Sequence, residues 1–209
     1  MDGSQLIQNL VKKGVLKTPA IIEAFKKIDR ADFLLPRYRA ISHSDQPLPI
    51  GQGQTNSQPT TVAFMLELLQ PQPGDRILDV GSGSGWTTAL LAHIVGRQGR
   101  VVGVEIVPEL VAFGKRNLSK YDMSWADILP TTPGVTGLPQ EVPYDKILVS
   151  AAATQVPSGL LEQLEIGGRL VIPVMNSIFK IDRVSEDDFD QKEFYGFNFV
   201  PLVESWPRS

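Results

Sequence analysis

Between residues 5 and 29 the apolar positions recur at intervals of three and four, through Leu6, Ile7, Leu10 and Val11 and then Ile21, Ile22, Phe25 and Ile28. That period marks helices with one buried stripe. Gly14 interrupts the pattern, and Thr18-Pro19 restarts it with a residue suited to an N-cap followed by one suited to the first turn, so the spacing predicts two short helices. Residues 30 to 60 mix Pro36, Pro47, Pro49, Gly51, Gly53 and Pro59 with polar residues and show no period, which predicts a loop-rich segment that must pack against something larger. A helical pattern returns from Thr61 to Leu69 and stops at Pro71-Gln72-Pro73-Gly74.

Beyond that stop the pattern alternates. Arg76 to Val80 reads as a short apolar strand, Gly81 to Gly85 as a glycine-rich turn, Thr87 to Val95 as a helix and Arg100 to Glu105 as a second strand, which together make a βαβ unit. A helix over Pro108 to Leu118, a weak strand over Ala126 to Leu129, a strand over Tyr144 to Ser150, a helix over Ser158 to Leu164 and a strand over Arg169 to Val174 continue the series. Phe179 to Val184 and Phe194 to Val203, separated by the acidic run Glu186-Asp187-Asp188, predict an antiparallel pair. The reading is α/β: a doubly wound, mostly parallel sheet closed by an antiparallel C-terminal strand pair and preceded by an N-terminal helical extension. One domain over 1-209 is expected, with 1-60 as helices and covering loop, 61-175 as the core and 176-209 as the closing strands.

Open parallel sheets bind ligands beyond the carboxyl ends of their strands, which places the segment Asp79-Val80-Gly81-Ser82-Gly83-Ser84-Gly85 at a ligand. Gly81 and Gly83 can take positive φ and let the backbone approach that ligand, and Gly85 can let the next helix pack close to the strand. A tight strand-to-helix turn without a ligand is the alternative. A dinucleotide site would need glycine where Trp86 stands, and a phosphate loop would need a following Gly-Lys-Ser/Thr, which is absent. Glu105, at the end of the next strand, can accept hydrogen bonds from ribose hydroxyls. Asp79 would repel a pyrophosphate and favour a cation such as the ammonium and sulfonium of S-adenosylmethionine, with capping of the following helix as the alternative role.

Composition narrows the chemistry. Twenty basic and 23 acidic residues give a formal charge of −3, so no broad footprint for nucleic acid or anionic lipid is present. No apolar run approaches a membrane span and the start lacks a signal-peptide layout, so the expected setting is cytoplasmic. Cysteine is absent and His43 and His93 are the only histidines, which leaves no thiolate nucleophile and no metal site to expect.

The segment Asp45-Gln46-Pro47-Leu48-Pro49-Ile50-Gly51-Gln52-Gly53-Gln54-Thr55-Asn56-Ser57-Gln58-Pro59 resembles the D-x-P-L-P-I-G-x-G-Q-T-I-S-Q-P loop of bacterial protein-L-isoaspartate O-methyltransferases. The resemblance continues through Asp79 to Trp86, Val104-Glu105, Tyr144 to Ala153, Gly167 to Val174 and Phe199 to Leu202, and so covers nearly the whole chain. It implies the Rossmann-like fold of S-adenosylmethionine-dependent methyltransferases and methylation of the free carboxylate of isoaspartyl residues in damaged proteins, with S-adenosyl-L-homocysteine as product. The ester is then expected to cyclise to a succinimide and reopen partly to normal aspartate, a repair. Carried over by position, Ser57 matches the active-site serine, Gln54, Thr55, Ser150 and Ala151 border the substrate, and Thr55, Asn56, Ser57, Asp79, Gly81, Ser82, Gly83, Ser84, Gly85, Glu105 and Gly134 border the cofactor. The family resemblance also implies a monomer. Without it, Ser57 is a turn residue. The chemistry suits the composition, because a carboxylate with a reference pKa of about 3.3–3.9 is already ionised and needs no general base.

Three positions depart from the family pattern. Thr132-Pro133-Gly134 replaces G-D-G, whose acid would receive the adenine amino group; Asn56 replaces the Ile of T-I-S; Met175 replaces the Gly of P-V-G. These departures leave two other readings open: a methyltransferase acting on a different carboxylate or other acceptor, and a relative that binds the cofactor without turnover. His43 and His93 are expected to pack, Trp86 to wedge between helix and sheet, and the acidic run to form a solvated turn.

Overall fold

A computed structural model describes residues 3–132 and 134–203. Pro133 therefore lies outside the described residues, and the departure expected there is not located by the fold. The order is α1 (Gly3–Lys12), α2 (Pro19–Lys27), β1 (Leu48–Gly51), β2 (Gln54–Asn56), α3 (Pro59–Leu69), β3 (Arg76–Val80), α4 (Trp86–Val95), β4 (Arg100–Glu105), α5 (Pro108–Leu118), β5 (Ala126–Pro130), β6 (Tyr144–Val149), α6 (Ser158–Glu162), β7 (Leu164–Val174), β8 (Ser177–Arg183) and β9 (Phe189–Tyr195).

Seven strands form one sheet in the order β5-β4-β3-β6-β7-β8-β9. The first five pair in parallel, and β8 and β9 add antiparallel strands. The apolar runs of β3, β4 and β6 are buried because helices cover both faces, as expected for parallel strands. One core holds α1–α4 with Ile77, Val101 and Leu148; a second, on the other face, holds Leu78, Val102, Ile147, Leu160 and Leu170. The chain leaves β3 towards β4 on one side, and β6 later returns to its other side, so the strand order reverses at β3. A crevice opens there beyond Val80 and Val149.

Several expectations shift. Thr18 does not cap α2 with its side chain; its hydroxyl donates to Glu67 Oε2 at 2.7 Å, and the amides of Lys17 and Thr18 both donate to Glu67 Oε1, tying the N-terminal helices to α3. The helix expected over Ser158 to Leu164 stops at Glu162, and Leu164 already belongs to β7. The last strand is Phe189–Tyr195 rather than Phe194 to Val203, because Val184 N–H closes the turn on Asp188 O and brings Phe189 opposite Arg183. The apolar residues after it are covered differently: Phe197 and Phe199 pack on the first core, and Val200 to Leu202 run past the end of β6, where Ala152 exchanges hydrogen bonds with Val200 O and Leu202 N–H. Trp86 is buried in the first core with Ile77 and Val101 of the sheet and meets α2 edge-on at Phe25, with ring centroids 5.6 Å apart. Among the described residues, no helix is long and apolar enough to cross a membrane.

Candidate active site

The crevice is walled on one side by Gly81 and Gly83, on a second by Glu105, Ile106 and Val107, on a third by Ser150, Ala151 and Val200 to Leu202, and is roofed by Ile50, Gln54 and Thr55 of the β1–β2 hairpin. Gly81 takes φ +78°, and a Cβ there would project at Ala151. That contact, at 3.8 Å from Ala151 Cβ, is an ordinary one, so it is the positive φ rather than lack of space that favours glycine there. Gly83, at φ +53°, lies so close to Ile50 that a Cβ would meet its Cδ1 at 3.2 Å, which shows how tightly the hairpin lies across the glycine loop.

Glu105 is 7% exposed. Its Oε2 accepts from Gly83 N–H at 2.9 Å, and its Oε1 from the N–H groups of Ile106 at 2.8 Å and Val107 at 3.0 Å. A carboxylate has about four lone-pair sites. One of the three in use holds the glycine loop at Gly83, two hold the turn after β4, and one on Oε2 stays free for a hydroxyl in the crevice.

A second cavity of about 30 Å³ lies between Thr55-Asn56-Ser57 and Gly81-Ser82-Gly83-Ser84 and shares Thr55, Gly81, Gly83 and Ser150 with the crevice. It holds about two water-sized groups, enough for the oxygens of one carboxylate. Ser57 and Ser150 therefore face one small polar chamber from opposite elements.

The expected residues divide into three groups. Gln54, Thr55, Gly81, Gly83, Glu105, Gly134, Ser150 and Ala151 line the crevice, and Ser57, Asn56, Ser82 and Ser84 line the small cavity instead. Asp79 and Gly85 line neither. A Cβ on Gly85 would come within 2.9 Å of Ile128 and 3.2 Å of Gly114 O, so its role is packing of loop against α5 and β5. Asp79 is fully buried one layer behind Ser150, accepting from Thr88 Oγ1 at 2.7 Å and Ser150 Oγ at 3.3 Å. Burial pushes its carboxyl up to about 6; the bonds from Thr88 and Ser150 oppose that, and the nearby Glu105 adds to it. The contact with Thr88 ties the carboxylate to α4, the role expected of a residue serving the following helix, although the bond runs to a side chain rather than to an orphan N–H.

Sequence reasoning missed Ile50 and Ile106-Val107 as walls, and Arg30, which is 3% exposed behind the hairpin. An isolated arginine between Ile28 and Phe33 was the signal. Neither histidine lines the crevice, and among the described residues no three acidic or histidine side chains gather as a metal site.

The family model described as protein-L-isoaspartate(D-aspartate) O-methyltransferase matches residues 1–206. The chain belongs to this methyltransferase family. Relatives named protein-L-isoaspartate O-methyltransferase include one from Methanopyrus kandleri, 40% identical over 95% of this chain and 90% of its own length, and one from Aeropyrum pernix, 39% identical over 95% of this chain and 78% of its own. A solved structure of a protein-L-isoaspartate O-methyltransferase superposes with a TM-score of 0.86 at 26% identity, over 97% of this chain and 66% of that longer chain. A solved structure from Plasmodium falciparum, in complex with S-adenosyl-L-homocysteine, has the same fold at a TM-score of 0.86 and 24% identity, over 98% of this chain and 100% of that one.

Proposed function

We propose that the chain uses S-adenosylmethionine to methylate the free carboxylate of isoaspartyl residues in damaged proteins or peptides. The observation that carries the reading is the shared wall of the two cavities: Thr55, Gly81, Gly83 and Ser150 border both the crevice that accepts a nucleoside and the small chamber where Ser57 waits. When bound, S-adenosylmethionine supplies an electrophilic methyl group on a positively charged sulfur. Gly81 and Gly83 would hold its amino-acid end, the free lone pair of Glu105 would take a ribose hydroxyl, and Gly134 would border the base.

Ser57 donates to one oxygen of the acceptor carboxylate and leaves the other directed at the methyl group. Ser150 borders the same chamber, and its own hydroxyl proton is committed to Asp79. The acceptor arrives ionised, so the chain's residues align and dry the nucleophile rather than remove a proton from it. In this scheme residues 1–60 supply the cover, 61–175 the cofactor core, and the segment beyond β9 a wall of the cofactor crevice through Val200 to Leu202. A cytoplasmic setting, action as a monomer, and the lack of a nucleic-acid or membrane partner belong to the same proposal.

Transfer of labelled methyl to an isoaspartyl peptide, but not to its aspartyl twin, tests the reading; equal labelling of both, or of neither, refutes it. Ser57→Ala should lower kcat about 10- to 100-fold while S-adenosyl-L-homocysteine affinity changes less than about threefold, because Ser57 touches the acceptor chamber and not the crevice.

A further inference from the structure

Arg30, between α2 and the hairpin, is buried without a salt bridge. Among the described residues no carboxylate comes within ion-pair distance of it, and burial pulls its pKa down to about 10, with Asp45 opposing from further away. Such a charge is tolerated only where every donor is satisfied. Its Nε donates to Asn56 Oδ1 at 2.7 Å, Nη1 to the carbonyls of Ser42 and Ser44 at 3.0 Å each, and Nη2 to the carbonyls of Gln46 at 2.8 Å, Asn56 at 3.2 Å and Ser57 at 3.0 Å. The guanidinium also lies over the Trp86 ring, 5.3 Å from its centroid, at the start of α4. One side chain therefore fixes both ends of the segment that carries the hairpin.

The link does not stop at Asn56, itself 4% exposed. Asn56 Nδ2 donates to Ser84 Oγ at 3.1 Å, and Ser84 O accepts from Asn117 Nδ2 of α5 at 3.0 Å. A continuous buried relay thus runs from Arg30 through the residue beside Ser57 into the glycine loop and the helix behind it. Asn56 stands where the family's motif has Ile, and an aliphatic side chain could make neither bond.

Resting on the function proposed above, we infer that Arg30 and Asn56 are positioning residues for methyl transfer: the relay sets the separation between the Ser57 carbonyl segment and the glycine loop, and so between acceptor carboxylate and methyl group. Reaction rate is steep in that separation, since an error of about 1 Å can cost about a hundredfold. Arg30 lines neither cavity, and Asn56, though it borders the small chamber, has its side-chain amide committed to Arg30 and Ser84.

Two variants cut the relay at different places. Asn56→Leu removes both side-chain bonds while keeping the branching of the side chain, and Ser84→Ala removes only the glycine-loop end without stranding the arginine. In each, kcat per S-adenosyl-L-homocysteine-binding site should fall about tenfold or more, with KM for an isoaspartyl peptide within about threefold. Hydrogen exchange at the amides of residues 54 to 57, measured in the S-adenosyl-L-homocysteine complex, should speed up about tenfold. Asn56→Asp, which keeps the acceptor for Arg30, should recover part of both. Variants that bind S-adenosyl-L-homocysteine with parental exchange and parental kcat per site overturn the inference, and if Asn56→Leu does not fold, Ser84→Ala decides alone. Should the parent methylate no isoaspartyl peptide, the function proposal fails, and the exchange comparison still judges the relay.

Discussion

Replacing Asp79 by asparagine separates the cost of a buried charge from its use. The carboxyl is fully buried, with its pKa raised from 3.8 to about 6, first by burial and against the hydrogen bonds from Thr88 and Ser150. The folded state holds this proton more tightly than the unfolded chain does. Stability contributed by Asp79 is therefore greatest below about pH 4, declines as pH rises to about 6, and is flat above that; the total loss is about 3 kcal/mol for a shift of roughly two units. Asp79→Asn keeps the shape and removes the titration, so at pH 7 it should be more stable than the parent by about 1–3 kcal/mol, the lower end allowing for a poorer bond to Thr88. The ionised carboxylate is useful only when a cation lies nearby. It is about nine-tenths ionised at pH 7 and about one-tenth at pH 5, so if the bound sulfonium requires it, the parent's affinity for S-adenosylmethionine should rise about tenfold over that interval. The variant should show a flat profile and weaker binding at pH 7. Urea unfolding and calorimetry at pH 5 and 7 measure both quantities. Parent and variant with parallel pH profiles in binding would refute the electrostatic role and leave Asp79 as a tether for α4.

Glu105→Gln keeps acceptors for Ile106 and Val107 but turns an amide towards Gly83 N–H, stranding a donor at a cost of about 1–3 kcal/mol; unfolding midpoints should fall accordingly, and calorimetry should show S-adenosyl-L-homocysteine affinity down about tenfold or more, a change under threefold contradicting the ribose assignment. Gly114→Ala opposes two effects of known sign. Helix propensity alone would stabilise α5 by about 1 kcal/mol, whereas a Cβ there meets Ile128 Cδ1 at 2.7 Å and the backbone oxygen of Gly83 at 3.0 Å. Overpacking costs about 1–3 kcal/mol, so the variant should be less stable and, because Gly83 must move, bind cofactor more weakly; a gain in urea resistance would show that the loop is not seated on α5 as described.

Legibility in the sequence tracked how locally each feature is determined. Ile77-Leu78, Val101-Val102 and Ile147-Leu148-Val149 announce strands because burial on both faces selects apolar residues at every position, and those strands stand where the runs do. Gly81, Gly83 and Gly85 all take positive φ, the property that three glycines in one turn suggest. The β1–β2 hairpin left no such trace. Its period is broken by Pro47, Pro49 and its glycines, and what holds it is Ile50 against Gly83 together with a guanidinium contributed from Arg30, contacts between segments distant in sequence. The C-terminal run misled for the opposite reason: Phe197 to Val203 is mostly apolar because it packs on the core and walls the crevice, and its pairing is limited to one bridge between Pro201 and Ala152 rather than a strand beside β8. Asn56 joins the two lessons. Its place in the covering loop was readable from the motif, but the direction of its side chain, away from the crevice and into the Arg30–Ser84 relay, depends on partners 26 and 28 residues away. A polar residue in a site loop reads alike whether it touches the ligand or aims the residue that does, and only the placement of its partners separates the two.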